Sequence, residues 1–248
     1  MRIALLSDIH GNLPALQAVL HDIARRDVDR IVNLGDSLSG PLFPRETAEF
    51  LMQQDWPQLA GNHERQILEF DPQRGGESDR YALSTLTPDI LAWLKTLPGT
   101  LWLDEEVFLC HGTPATDLVY FLETVEAAAV RLASPEEVDA RLGGIAAKVV
   151  ACGHTHIPRA VRSSNGTLIV NPGSVGLQAY DDDHPHYHLM QNASTDARYA
   201  IIEDRQGTWS AALHSVPYDY QIAAEAALRN GRPDWQHALL TGYVLPAV

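Results

Sequence analysis

Short apolar runs in this sequence end repeatedly in aspartate, histidine or asparagine, usually beside a glycine. The endings are Asp8-x-His10, Gly35-Asp36, Gly61-Asn62-His63-Glu64, His111-Gly112 and Gly153-His154-Thr155-His156. An apolar run that stops at such residues is typical of a β-strand reaching the edge of its sheet. The carboxyl ends of strands in an open α/β sheet share one crevice. The pattern therefore predicts that these polar side chains converge, although they are far apart in the chain.

Alternating strand and helix patterns predict an α/β protein. Apolar residues at helical spacing between the strands predicted at 2–7 and 29–34 indicate a β-α-β unit. Further strands are predicted at 56–60, 101–103, 107–110, 148–152, 159–162, 168–171, 198–203 and 209–215. Further helices are predicted at 47–52, 64–97 with a loop at 71–78, 123–132, 135–142 and 220–240. Four tryptophans in apolar patterns are expected in the core: Trp56, Trp93, Trp102 and Trp209. We expect one domain over 1–248, with a core over about 1–215 and a helical tail over 216–248.

Charge and apolar content limit the partners and the location of the chain. The formal net charge of −14 argues against broad binding to nucleic acid or to anionic membrane. Neither a signal-type apolar segment nor a run of about twenty apolar residues is visible. Cys110 and Cys152, the two cysteines, each end an apolar run, as buried thiols in a reducing compartment do. The sequence thus predicts a cytoplasmic protein without a membrane partner.

The mixture of side chains in the five endings indicates metal binding. Imidazole, carboxylate and amide oxygen together suit Mn²⁺, Fe or Zn²⁺ better than Ca²⁺. Seven ligands exceed the needs of one ion but fit two, with Asp36 as a carboxylate that bridges them. Two divalent ions can hold a hydroxide between them and clamp the oxygens of a phosphoryl group during in-line displacement. His63 follows a predicted ligand directly and can face the substrate, where a histidine suits a general acid.

Taken together, the five endings resemble the motifs of the calcineurin-like metallophosphoesterase superfamily, and within it the small bacterial and archaeal branch. All five occur in the order of that family, and the segment 171–176, Asn-Pro-Gly-Ser-Val-Gly, resembles its sequel. The resemblance covers 1–176 and implies a four-layer α/β/β/α sandwich of two mixed sheets. It implies that one ion takes Asp8, His10, Asp36 and His156. It implies that the other takes Asp36, Asn62, His111 and His154, while His63 protonates the leaving group or steadies the transition state. Mn²⁺ is the ion we expect.

The segment 181–188, Asp-Asp-Asp-His-Pro-His-Tyr-His, departs from the family pattern. Its composition could bind a metal, but a solvated acidic loop is the interpretation we favour, because Pro185 and adjacent charges suit an exposed insertion. An alternative is a lip over the cleft, in which Tyr180 or Tyr187 stacks on a base. Family members often carry an arginine in this region, where this chain has Gln178 and Tyr180. The departure leaves the substrate open.

These patterns predict an enzyme that hydrolyses a phosphodiester or a nucleotide phosphoanhydride such as a dinucleoside polyphosphate. Its partner would be a small, nucleotide-like phosphorylated molecule. That choice rests on analogy, because a fold or motif does not fix a substrate. A phosphoprotein phosphatase could use the same ligands and is the nearest alternative. A non-catalytic metal-dependent scaffold is a second alternative, which would require a lost ligand or acid.

Overall fold

The computed structural model describes residues 1–127 and 129–246 of the chain. The strands are β1 (Arg2–Leu6), β2 (Arg30–Asn33), β3 (Thr100–Trp102), β4 (Val107–Cys110), β5 (Glu123–Glu126), β6 (Ala129–Leu132), β7 (Val149–Ala151), β8 (Arg159–Arg162), β9 (Leu168–Asn171), β10 (Ala179–Asp182), β11 (His188–Gln191), β12 (Ala197–Arg205) and β13 (Thr208–Val216). The helices are α1 (Leu13–Ile23), α2 (Pro44–Leu51), α3 (Asn62–Leu68), α4 (Glu77–Thr85), α5 (Pro88–Leu94), α6 (Pro135–Leu142), α7 (Tyr220–Arg229) and α8 (Pro233–Thr241).

Two mixed sheets form the centre of the molecule. The first has the order β13-β12-β1-β2, in which β1 runs parallel to β2 and antiparallel to β12. The second has the order β3-β4-β7-β9-β8, in which β4, β7 and β9 are parallel and the two edge strands are antiparallel. The hairpins β5-β6 and β10-β11 lie outside both sheets. The predicted architecture of two mixed sheets with helices is confirmed.

Alternation along the strands separates the layers of the core. Ile3 and Leu5 of β1 point into a cluster shared with β4, β7 and β9 of the other sheet, so these two sheets pack face to face. Ala4 and Leu6 point the opposite way and pack against α1. On the far side, α6 covers the outer faces of β4, β7 and β9. Because successive side chains of a strand face opposite sides, the central strands β1, β4, β7 and β9 are buried on both faces.

Local signals explain the helices that were predicted well. The Asn12 side chain accepts a hydrogen bond from the backbone N–H of Ala15 and so caps α1. Ser134 and Glu137 form a reciprocal capping box at the start of α6. Gly143, with φ of 62°, ends that helix in the left-handed conformation.

The predicted helix at 123–132 is wrong, because the chain there forms the hairpin β5-β6. Ala128, inside this range, lies outside the described residues. The guanidinium of Arg141 donates to the backbone carbonyls of Phe121 and Glu123 at 3.0 and 2.9 Å. The carbonyl of Glu123 is thereby engaged by a side chain from α6 rather than by a helical N–H. Tertiary contact has overridden the local pattern in this segment.

Two smaller expectations also fail. Trp102 is 44% exposed and packs edge-on against Phe108 on an edge strand, so it is not a core residue. The strand predicted at 56–60 reduces to a single bridge between Asn33 and Gln58.

The helices α7 and α8 pack against each other, and they contact α1 and β10 respectively. Ala223 and Ala227 of α7 and Trp235 of α8 form an apolar cluster with Leu42 and Leu177, two residues that follow the motif loops. None of the helices in 1–127 and 129–246 combines the length and apolarity needed to cross a membrane. The C-terminal helices thus lie beside the loops that carry the polar motifs.

Candidate metal centre and catalytic cleft

The loops after β1 and β2 bring the first three predicted ligands together. The backbone N–H of Asp8 donates to the carbonyl of Gly35 at 3.0 Å, and that of His10 donates to the carbonyl of Asp36 at 3.0 Å. Asp8, His10 and Asp36 have φ of 56°, 53° and 55°, which places three non-glycine residues in the left-handed region. Such residues are uncommon and persist where the surroundings enforce them, often at functional sites. The two loops are therefore held as one unit.

Glycines allow the remaining loops to approach. A Cβ atom on Gly61 would collide with the carboxylate of Asp36, and one on Gly153 would collide with the Ser7 hydroxyl. Asn62 begins α3 directly after Gly61, which carries it to the Asp36 loop. The backbone at both glycines can therefore lie against its neighbour only because no side chain intervenes.

The side chains of the predicted ligands form two adjoining groups. In each group the potential ligand atoms lie within 4.8 Å of one another. The first group is Asp8, His10 and His156, and the second is Asp36, His111 and His154. Asn62, the seventh predicted ligand, joins the second group, since its Oδ1 lies 3.1 Å from Nε2 of His111. All seven predicted ligands thus lie at one place.

His10 and His156 face each other as two neutral imidazoles. Their Nδ1 atoms lie 2.7 Å from the backbone carbonyls of Ser39 and Leu177, so Nδ1 carries the proton in each ring. Burial lowers the pKa of His10 to about 4 and lowers that of His156 well below its usual value. Their Nε2 atoms are then both acceptors and lie only 3.1 Å apart. Two converging lone pairs fit a shared cation, and this donor set therefore fits a divalent metal ion.

His111 and Asp36 form a buried ion pair in the second group. Nδ1 of His111 lies 2.9 Å from the carbonyl of Leu34, and Nε2 lies 3.0 Å from Oδ2 of Asp36. Burial alone lowers the pKa of His111, but Asp36, through charge and hydrogen bond, raises it to about 10. Burial alone raises the pKa of Asp36, and the charge of His111 more than reverses that effect. The negative charge of this carboxylate is thus stabilised by its imidazole neighbours.

The imidazole of His154 is turned the other way from those of His10, His111 and His156, whose Nδ1 atoms contact backbone carbonyls. Its Nε2 lies 3.1 Å from the carbonyl of Leu118, which leaves Nδ1 to face the site. Burial lowers the pKa of His154 to about 4, so the ring is neutral. Its backbone N–H also donates to both carboxylate oxygens of Asp8 at 3.2 Å. The loop carrying His154 is thereby tied to the loop carrying Asp8.

His63 lies at the edge of the two groups and is held by a residue that the sequence did not single out. Its Nδ1 lies 2.7 Å from Oδ1 of Asp79 on α4, and its backbone N–H donates to Oδ1 of Asp36 at 2.9 Å. Burial alone lowers the pKa of His63, but Asp36 and the hydrogen bond with Asp79 raise it to about 9. With Nδ1 engaged, Nε2 is the ring nitrogen that remains for a substrate.

Glu64 connects two of the motif loops below the site. One of its carboxylate oxygens accepts from the backbone N–H groups of Asp36 and Gly61, and the other accepts from that of Ser37, each at 2.8 Å. The side chain is fully buried. Three N–H donors at one carboxylate fix both loops at once, and they account for the acidic residue that ends the third motif.

The segment 171–176 supports the other two loops. The amide of Asn171 donates to the carbonyl of Gly153 at 2.7 Å. The hydroxyl of Ser174 donates to the carbonyl of Asp8 at 2.7 Å, and the N–H of Val175 donates to that of Ser7 at 3.0 Å. This segment therefore positions ligands without supplying one.

Two tyrosines form a second layer around His154 and His156. The ring of Tyr180 packs against His156 with 4.6 Å between centroids, and its hydroxyl donates to the carbonyl of His154 at 3.1 Å. Tyr120 packs against His154 at 4.9 Å, and its hydroxyl lies 2.7 Å from that of Tyr180 and 2.9 Å from Nε2 of His188. Tyr180 is therefore engaged with the metal-site loops rather than free to stack on a base.

The site opens into a cleft of about 1640 Å³. One side is formed by the segment 69–79 and the other by the hairpin β10-β11. Asp181, Asp182, His184, Pro185 and Tyr187 line this second side, so the hairpin borders the cleft although most of its tip is exposed. The segment 181–188 is thus both solvated and part of the cleft wall, which combines the two interpretations of its sequence.

The C-terminal helix α8 completes the wall of the cleft between the segment 69–79 and the hairpin β10-β11. Trp235 is 7% exposed, lies edge-on to His10 at 5.9 Å between centroids, and packs where Gly40 has no side chain. Sequence patterns gave no sign of this role, because Trp235 lies in a plain amphipathic helix far from the motifs. Asp79, Tyr120 and Tyr180 are missed or misread for the same reason, since only the tertiary fold brings them to the site.

Comparison with known proteins agrees with this geometry. The family model described as the calcineurin-like phosphoesterase superfamily domain matches residues 1–195. The chain belongs to the calcineurin-like phosphoesterase superfamily. It is therefore a phosphoric ester hydrolase, and its family binds divalent metal ions and acts on small phosphorylated substrates.

Similar proteins extend beyond the matched domain into the C-terminal helices. An uncharacterized protein of Methanocaldococcus jannaschii is 26% identical, with 94% of each chain covered. The crystal structure of a metallophosphoesterase from Sphaerobacter thermophilus superposes with a TM-score of 0.77 at 25% identity, covering 98% of this chain and 99% of the other. A hypothetical protein from Pyrococcus horikoshii gives a TM-score of 0.75 at 19% identity, with 98% and 99% covered. The fold is thus shared over nearly the whole chain.

Proposed function

We propose that this superfamily member hydrolyses a phosphodiester or a nucleotide phosphoanhydride at a dinuclear metal centre, with a hydroxide as the nucleophile. The observation that carries the proposal is the convergence of seven donor side chains in two adjoining groups beside His63. Asp8, His10 and His156 would hold one ion, and Asn62, His111 and His154 would hold the other, with Asp36 shared. The chemistry that two such ions supply is activation of water and neutralisation of phosphoryl charge.

The protein side chains define what happens around that centre. Neutral His10, His154 and His156 offer lone pairs, because burial lowers the pKa of each ring. Backbone carbonyls fix the tautomer of each imidazole, which removes the need to reorganise on binding. Mn²⁺ is the ion we propose, because the oxygen donors of Asp8, Asp36 and Asn62 suit it, and Fe or Zn²⁺ are the alternatives that the imidazoles also suit.

His63 would donate a proton to the leaving oxygen. Its Nδ1 is engaged by Asp79, so Nε2 is left to face the substrate. General acids of this kind contribute about 10²- to 10⁴-fold to rate. Asp79 acts through His63 and is a positioning residue.

The size of the cleft favours a substrate with a substituent on each side of phosphorus. Its 1640 Å³ exceed the roughly 300–1,000 Å³ of ordinary small-molecule pockets. The segment 69–79, through Asp79 beside His63, and the hairpin β10-β11, through Tyr180 beside His156, lie on either side of the proposed ligands. A diester or a dinucleoside polyphosphate would use that room, whereas a phosphomonoester would leave much of it empty.

The cytoplasmic location stays a prediction.

A substrate panel combined with elemental analysis tests this function. The protein is loaded with Mn²⁺, its metal content is measured, and it is assayed on bis(p-nitrophenyl) phosphate, diadenosine tetraphosphate and a phosphopeptide. We expect two metal ions per chain and turnover of at least one of the first two substrates. Turnover of the phosphopeptide alone would favour a phosphoprotein phosphatase. Two bound ions without turnover of any substrate would indicate a scaffold.

A further inference from the structure

Four arginine side chains of the described residues line the cleft, and three of them are already engaged. They are Arg65, Arg74, Arg141 and Arg232. Arg65 forms a two-point ion pair with Asp117 at 2.8 and 2.9 Å. Arg232 forms a corresponding pair with Asp234. Both positive charges are largely compensated inside the protein.

Arg141 is engaged in a different way. Its guanidinium donates to two backbone carbonyls at the start of β5 and to the hydroxyl of Thr124 at 2.7 Å. These bonds hold the β5-β6 hairpin against α6. A substrate could not use this side chain without releasing the hairpin.

Arg74 is the exception. Within 1–127 and 129–246, its guanidinium has neither a hydrogen-bond acceptor nor a carboxylate within ion-pair distance, and the residue is exposed at the cleft. An uncompensated arginine at the rim of an active-site cleft is available to bind an anion with a two-point contact.

The backbone of Arg74 is well positioned. The carbonyl of Asp71 accepts from the N–H groups of Arg74 and Gly75 at 3.1 and 2.7 Å. Gly75 packs so closely on the ring of Phe70 that a Cβ atom there would collide with it. The turn that presents Arg74 is therefore fixed by packing and hydrogen bonds.

This turn lies on the same side of the site as His63. A Cβ atom on Gly76, two residues after Arg74, would lie 3.8 Å from Oδ2 of Asp79. The other oxygen of Asp79 is the one that holds Nδ1 of His63. Two residues of chain span at most about 7 Å, so Arg74 borders the same part of the cleft as the His63–Asp79 pair. In the proposed function that pair faces the leaving group.

We infer that Arg74 binds a negative charge on the leaving group, and that the natural substrate is an anhydride whose leaving group is itself a phosphate. This inference rests on the proposed function. The neighbouring rim is acidic, with Glu69 and Asp71 on the same segment and Asp181 and Asp182 on the opposite wall. These carboxylates repel an anionic leaving group, so on the segment 69–79 the position that attracts it is Arg74.

The test compares two substrates that differ in the charge of the leaving group. Diadenosine tetraphosphate releases a nucleotide with several negative charges, whereas bis(p-nitrophenyl) phosphate releases a single phenolate. With the Mn²⁺-loaded protein, we expect Arg74→Ala to lower kcat/KM on the tetraphosphate by about 10- to 100-fold, as removal of a charged hydrogen bond does. On the diester, the same variant should stay within about twofold of the unchanged protein.

Two further variants serve as controls. Arg74→Lys keeps the charge but loses the two-point contact, and should recover part of the lost rate on the tetraphosphate. Arg25→Ala removes one positive charge from an exposed position outside the cleft, and should leave both substrates unaffected.

The outcomes are distinguishable. An equal loss on both substrates, or no loss on the tetraphosphate, would overturn the role of Arg74. Turnover of the diester without turnover of the tetraphosphate by the unchanged protein would overturn the substrate class and leave the proposed function intact. If the protein loaded with metal hydrolysed neither, the proposed function would fail and this inference with it.

Discussion

The imidazole of His63 is held by a carboxylate from a different helix, with 2.7 Å between its Nδ1 and Oδ1 of Asp79. His63 stands in the second residue of α3, and Asp79 stands in the first turn of α4. The turn containing Gly75 and Gly76 connects the two helices and allows them to meet. Correct placement of the proposed acid thus depends on a residue sixteen positions further along the chain.

We expect Asp79→Asn to lower kcat by about tenfold while KM and metal content change little. Asparagine keeps the size of the side chain but loses the charge and the fixed acceptor that orient Nδ1. His63→Ala should cost about 10²-fold or more in kcat, since it removes the acid itself. Steady-state kinetics and elemental analysis of the two variants check this. Asp89→Asn, at an exposed position of α5, is the matched control, and a similar loss in it would contradict the assignment.

Asp36→Ala should empty or half-empty the metal centre. Asp36 is the carboxylate proposed to be shared, so its removal takes a ligand from both ions and leaves His111 without its partner. We expect metal content to fall from two ions per chain to one or fewer, with loss of hydrolysis. Elemental analysis after gel filtration measures this. Two ions retained in this variant would show that Asp36 is not shared.

Tyr180→Phe should weaken metal binding more than it slows turnover. The variant keeps the ring against His156 but loses the hydroxyl that donates to the carbonyl of His154. Residues behind the ligands of a metal site typically contribute 10- to 100-fold in metal affinity or activity. We expect the Mn²⁺ concentration for half-maximal activity to rise about tenfold, with kcat restored at high Mn²⁺. Tyr243 is half exposed and is not among the residues that line the cleft, so Tyr243→Phe should behave like the unchanged protein.

Glu64→Gln should destabilise the fold by about 2–4 kcal/mol. The carboxylate accepts three buried N–H bonds, and hydrogen bonds to charged groups contribute about 1.5–3 kcal/mol each. An amide replaces one acceptor oxygen with a donor that faces those same N–H groups. Chemical denaturation of the metal-free protein gives the change in unfolding free energy. Glu105→Gln, at an exposed turn, should change it by less than about 0.5 kcal/mol.

The convergence of the seven predicted ligands could be expected from the sequence, because each lies in a short local motif. Asp8 and His10 follow one strand, and His154 and His156 follow another, so the shared sheet edge was enough to place them together. The helix at 123–132 was wrong because Arg141, from another element, engages the carbonyl of Glu123. Roles that depend on how distant elements pack, as for Asp79, carry no local signal.

The substrate-facing wall was the hardest part to predict. Trp235 and Arg74 lie in segments whose patterns suit an ordinary surface helix and a polar loop. Their position at the cleft follows from the packing of α8 on the motif loops and from the turn around Gly75. Neither arrangement leaves a periodicity or a spacing that could be read in advance.

Strand β1, which ends at Asp8, pairs with β12 on one side, and Arg2 stands opposite Glu203. In the loop after β1, the carbonyl of Ser7 also accepts a hydrogen bond from the backbone N–H of Val175. During synthesis, β1 therefore cannot pair with β12 until some two hundred further residues have been made. At 5–20 residues per second, their synthesis takes roughly 10 to 40 s. Its aspartate and histidine emerge from the ribosome first and reach their final geometry among the last. Completion of the proposed metal centre is thus a late, long-range event in folding.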